Sequence, residues 1–149
     1  MDPGIKSIAL FRGPVPIHAV YEECAHLCHY ALLEKRGLVP YWYRFNDATS
    51  WMKDAITRIG DGPEMNRFCR HLNECIAKRS LVDSQATLEL MAADVTDLKM
   101  SIEVYRGNMM GMLNKAGFSA QEVKDLMIQF DGLIESEATL VRNSCIVGE

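Results

Sequence analysis

Apolar side chains recur along most of this chain at alternating spacings of three and four, the period of one face of a helix. The longest such run is Leu88, Met91, Val95, Leu98, Ile102, Tyr105, Met109 and Met112. This is an a/d heptad seam, and it predicts one long helix over 81–113. At about 1.5 Å per residue that helix would be about 50 Å long. Ser80 and Asp83 stand three apart before the run and supply a capping-box-like start. Gly107 and Gly111 each cost about 1 kcal/mol relative to Ala inside a helix, so loosening is expected after Arg106. Leu90, Met100 and Val104 lie off the seam. They predict that the helix is covered on more than one side, as in a bundle.

Shorter patterns flank it. Val20, Cys24, Leu27, Cys28, Ala31 and Leu32 predict a helix after Pro16, stopped by Gly37 behind Lys35 and Arg36. Asn46 or Asp47 can cap a helix reaching Ile59, with Trp51, Met52, Ala55 and Ile59 on one face. Gly60-Asp61-Gly62-Pro63 is a break, and Pro63 suits the first turn of the next helix. Met65, Phe68, Cys69, Leu72, Cys75 and Ile76 give that helix a buried face, ending near Arg79. After a turn at Ala116-Gly117-Phe118, Ser119 and Glu122 form a capping box, with Phe118 and Val123 placed as a hydrophobic staple. Val123, Leu126, Met127, Phe130, Leu133, Ile134 and Leu140 define a last helix over 119–142. The short connection predicts an antiparallel return along the long helix.

Two stretches resist regular structure. Pro14 and Pro16 fix φ and remove donors, leaving residues 1–16 as an irregular, extended arm. Pro40 makes Val39 to Phe45 an extended, aromatic-rich connector. The expected fold is all-α: a helical bundle of about five helices in a single domain, 1–149. Within it, 17–79 holds three shorter helices, 80–143 a long helical hairpin, and 144–149 a loose tail.

Composition changes this picture little. With 149 residues, 48% hydrophobic and 24% charged, the chain has an ordinary globular balance and can bury a core unaided. A net charge of −4 does not call for nucleic acid or membrane. The halves differ, however: residues 1–80 carry 11 Lys/Arg against 9 Asp/Glu, and residues 81–149 carry 5 against 11. Such a split points to two surfaces with different partners. No signal peptide and no transmembrane helix are expected. Five cysteines without a secreted-scaffold spacing favour reduced thiols in the cytoplasm.

Candidate chemistry is sparse. Cys24/Cys28 and His71/Cys75 are i, i+4 pairs, and convergence of their helices would give four soft zinc ligands. Core packing of small apolar cysteines is the preferred reading, so no metal and no cofactor are expected. Neighbours such as Cys28 and His29 point about 100° apart on a helix and make no catalytic dyad. No nucleophile-elbow, zinc-protease or P-loop motif occurs. The chain therefore reads as non-enzymatic. The heptad seam predicts homo-oligomerisation through Leu88, Met91, Val95, Leu98, Ile102, Tyr105, Met109 and Met112. Arg67, Arg70 and Lys78 form a basic helix face, and Trp42 and Arg44 belong to the aromatic connector; these five are the candidate partner-binding residues. The leading function is a homo-oligomerising adaptor that binds an acidic macromolecule, a protein surface or RNA, through its more basic N-terminal half. The alternative is a dimeric RNA-binding regulator, such as a small RNA-binding suppressor, using the basic face of helix 63–79.

Overall fold

The structure is a computed structural model that describes residues 17–35, 57–60, 63–82 and 92–146. Within these ranges the side chains of 17, 18, 92–94, 145 and 146 are also left undescribed. The chain is an all-α bundle, without a strand among the described residues. Four helices appear in order: α1 Ile17–Lys35, α2 Pro63–Val82, α3 Ala92–Lys115 and α4 Ala120–Val141. Residues 57–59 are helical, and a π-helical turn, Arg142–Ile146, extends α4 where a loose end was expected.

The organising element is α2, not the heptad helix. It packs against α1, α3 and α4, and α4 rests more on α2 than on α3. The expected face is buried in full: Met65, Phe68, Cys69, Leu72, Cys75 and Ile76. Phe68 meets Phe130 of α4 edge to face, with ring centroids 5.2 Å apart. That geometry sets the positive edge of one ring against the negative face of the other.

Of the helix expected over 81–113, Leu81 and Val82 belong to α2 and are both buried, residues 92–113 belong to α3, and residues 83–91 lie outside the described residues. Ser80, expected as a cap, lies inside α2. Its hydroxyl is buried and donates to the Ala77 carbonyl at 2.6 Å, a bond made from within a helix rather than at the start of one. Leu88, Met91 and Leu90 lie outside the described residues. From Ala92 onward the seam is real but faces inward: Leu98, Ile102, Met109 and Leu113 are buried in the chain's own core, with Val95, Tyr105 and Met112 packed against it. The helix does not loosen after Arg106. Both glycines lie on its exposed side, while Met109 and Leu113 anchor the other side at 0% exposure. Met100 and Val104, expected to be covered, are 63% and 61% exposed.

α3 ends in a Schellman turn. Gly117 has φ +97°, and its N–H donates to the Asn114 carbonyl while Phe118 N–H donates to that of Leu113. A left-handed residue in that position favours glycine, and buried Phe118 and Leu113 complete the motif. α4 opens on the predicted capping box: Ser119 Oγ accepts from Glu122 N–H at 3.1 Å, and Glu122 Oε1 accepts from Ser119 N–H at 2.8 Å. Phe118 and Val123 are both buried, as a staple requires. Arg58 locks the turn from outside. Its guanidinium lies 3.6 Å from the Phe118 ring centroid and donates to Gly117 O and to Glu122.

α1 and α4 follow their expected ranges with rotated faces. In α1 the buried residues are Ala25, His26, Cys28, His29 and Leu33, whereas Cys24 and Ala31 are exposed. In α4, Leu140 is 42% exposed, and Glu137, Ala138 and Val141 are buried near it. The charges on these helices have partners across the interface, so polar residues enter positions that an apolar count assigns to solvent.

Candidate functional site

Two places concentrate chemistry: a polar cluster inside the bundle and an apolar surface on α3 and α4. The cluster lies where α1 meets α2. Lys78 Nζ donates to Glu22 Oε1 at 2.7 Å and lies 3.3 Å from Glu74 Oε1. The other Glu74 oxygen is 3.4 Å from His26 Nε2. The Lys78 ammonium also sits 5.5 Å from the centroid of Tyr105, whose ring neighbours His71. A second pair, His29 Nε2 and Glu137 Oε1 at 3.2 Å, ties α1 to α4 and is buried on both sides.

Lys78 is only 7% exposed, so it does not belong to the basic surface that the sequence suggested. Arg67 and Arg70 are exposed, and Arg67 faces Glu64 at 3.3 Å. His71 stands between that surface and the interior. Burial lowers its pKa first, then Arg70 and Arg67, against an opposing pull from Glu74. Trp42 and Arg44 lie outside the described residues.

Glu74, Lys78 and Cys75 are held away from titration at neutral pH. Burial alone would raise the pKa of Glu74, but the hydrogen bonds and charges of His26 and Lys78 outweigh it and hold the carboxyl at about 2. Burial alone would lower that of Lys78, but Glu22 and Glu74 outweigh it, so the ammonium is held charged. The Cys75 thiol, buried with its Sγ 3.8 Å from the Ile102 carbonyl, is pushed up to about 12 by desolvation. A general acid or base works best with a pKa near the operating pH, and a nucleophilic cysteine works as the thiolate. The cluster ties α1 to α2.

The candidate zinc ligands do not converge. Cys24 is exposed on α1, Cys75 faces α3, and Cys28 Sγ lies 3.9 Å from the Val141 carbonyl. Among the described residues, no three His, Cys, Asp or Glu side chains come together in a way that could hold a metal ion. Reduced thiols were expected throughout. Cys24, Cys69 and Cys75 are free, but Cys28 is disulfide-bonded.

The surface of α3 and α4 carries what the periodicity concealed. Met100, Val104, Met110, Ile128 and Leu140 are exposed, and every one belongs to these two helices. Met110 and Ile128 line a shallow groove of about 320 Å³ between α3 and α4, floored by Val123 and Met127. Its rim includes Arg106, which clasps Asp131 through two parallel bonds of 2.8 and 2.7 Å. The Asp131 bond is the main cause that raises the Arg106 pKa. Such bidentate pairs fix orientation as well as distance, so the groove walls are held in register. The one available signal for this surface was the off-seam position of Met100 and Val104.

Compared with known proteins, the chain matches no family model, no curated protein and no solved structure. No described helix is long and apolar enough to cross a membrane.

Proposed function

We propose that the chain is a non-enzymatic, homo-oligomerising interaction protein of the cytoplasm that recognises an acidic macromolecular surface through its more basic N-terminal half. The observation that carries this reading is the distribution of exposed apolar side chains. Among the described residues the large ones all lie on α3 and α4, and none on α1 or α2. Exposed apolar groups gathered on two helices of an otherwise well-buried domain suit an association surface. From Val95 onward the heptad seam is occupied by the chain's own core, so self-association uses the outer side of α3 and α4 instead.

Recognition falls to Arg67 and Arg70 on α2, which remain exposed. Glu74 and Lys78 held charged, and a Cys75 thiol held protonated, support a non-enzymatic role, while the Cys28 disulfide runs against the reducing setting expected of a cytoplasmic chain. An RNA-binding role loses ground because Lys78 is inside and Arg67 is engaged by Glu64. Two arginines make a short phosphate track.

Sedimentation of the full chain over micromolar concentrations tests the reading. A mass of twice 16.8 kDa or more at the upper concentrations is expected. Reversing charge at Arg67 and Arg70 should weaken capture of an acidic partner and leave assembly intact. A gel shift with duplex RNA, lost in that variant, would favour the RNA-binding alternative.

A further inference from the structure

The outward side of α3 has a shape that its own bundle does not use. Met100 and Val104 lead, followed along the same line by Gly107 and Gly111, at spacings of four, three and four. The stripe lies opposite the buried face of Leu98, Ile102 and Met109. Its first half is bulky and its second half hollow: a Cβ built on Gly107 or Gly111 would meet nothing within 4 Å. We propose that two copies of this chain pair through this stripe, α3 against α3, antiparallel about a two-fold axis passing between Tyr105 and Arg106. The proposal rests on the self-association reading above and names the surface for it.

Size complementarity sets the direction. In the antiparallel pair Met100 seats over Gly111 of the second copy, and Val104 over Gly107 of the second copy. Each contact occurs twice, as a two-fold interface demands. A parallel pair would set Met100 against Met100 and leave the glycines facing each other across a void. Charge complementarity gives the same answer independently. Asp97 and Lys115 are both exposed and stand five whole turns apart at about 3.6 residues per turn, on one flank of the stripe. The same two-fold places Asp97 beside Lys115 of the second copy at both ends, while a parallel pair would put these charges on opposite flanks, without partners across the interface. Glycine allows close helix approach here without strain, because both residues keep ordinary helical backbone. Two helices crossing over four turns bury less than the roughly 1,200 Å² at the lower edge of stable specific interfaces. The dimer is therefore a weak, reversible one.

The test is analytical ultracentrifugation of the full chain and five variants, with helicity and melting temperature as controls. Val104→Glu should raise the dissociation constant at least tenfold without lowering the melting temperature, since its side chain is exposed. Gly111→Leu fills the hollow that receives Met100 and should do the same. Leucine is the better helix former and has open space in the single chain, so a folding defect does not account for the loss. Asp97→Lys and Lys115→Asp should each weaken association, and the double swap should restore it. A dimer indifferent to Val104→Glu and Gly111→Leu overturns this surface while leaving self-association standing. A chain that stays monomeric throughout overturns both. A dimer sensitive to Val104→Glu whose single charge reversals are not rescued by the double swap overturns the antiparallel arrangement.

Discussion

α2 and α3 lie side by side, and the helix without the expected heptad seam has the deeper position. α2 buries twelve of its twenty residues, among them Asn73, Lys78 and Ser80. Of the described side chains of α3, only Leu98, Ile102, Met109 and Leu113 are buried. α3 owns the regular seam, yet it sits at the edge with its opposite side in solvent. The seam reports how consistently one face is apolar. Depth depends on whether the remaining faces are covered, and in α2 polar residues are covered because neighbours supply their partners. Lys78 is held by Glu22 from α1, and the α2 carbonyls of Arg79 and Ser80 accept from Arg142 at 3.2 and 3.3 Å. That last contact satisfies orphan groups at a helix C-terminus and sets a positive charge against the negative end of its dipole.

The sharpest way to break the comparison is to truncate both helices. Ile76→Ala in α2, at 0% exposure, should destabilise the fold by about 2–5 kcal/mol in urea titration. Met100→Ala on the outer side of α3 should change the stability of the single chain by no more than about 0.5 kcal/mol. Equal losses would mean that the α3 stripe is covered within the chain.

Acid titration sharpens the polar half of the contrast. The folded Glu74 pKa of about 2 lies below the ordinary 4.5, so its contribution is present above pH 4.5 and is lost as pH falls toward 2. Discounted for partial solvent exposure, that contribution is on the order of 2 kcal/mol. Glu74→Gln should therefore be less stable than the unmutated chain at pH 7, and the gap should close between pH 4.5 and 2. A pH-independent gap would mean that the ion pair with Lys78 contributes nothing.

A smaller effect lies at the hairpin turn. Ser119→Ala removes the acceptor that caps α4 and should cost about 1 kcal/mol. The Glu122 carboxylate, which the Ser119 backbone N–H holds below its usual pKa, should lose part of that shift, measurable by NMR titration. The smallest effect is chemical. In denaturant without reductant, alkylation should reach Cys24, Cys69 and Cys75, whereas Cys28 should react only after reduction. Labelling of Cys28 before reduction would place it with the free thiols of α2.

Local signals in this chain were reliable wherever one residue settles one conformation. The Ser119–Glu122 capping box, the break before Pro63, the turn at Gly117 and the apolar face of α2 are each decided by neighbours a few residues away. Helix type and most boundaries follow from that. The sequence could not reveal that Ser80 hydrogen-bonds backward to Ala77, because the same hydroxyl serves equally well to open a helix. It could not place Lys78 indoors, since burial of an ammonium requires Glu22, fifty-six positions distant, at 2.7 Å. It also could not say which side of α3 stays open. Period alone identifies a face, whereas tertiary packing decides how many faces find partners. By packing α2 against α1, α3 and α4, the fold consumed the heptad seam internally and left Met100, Val104 and the two glycines facing outward.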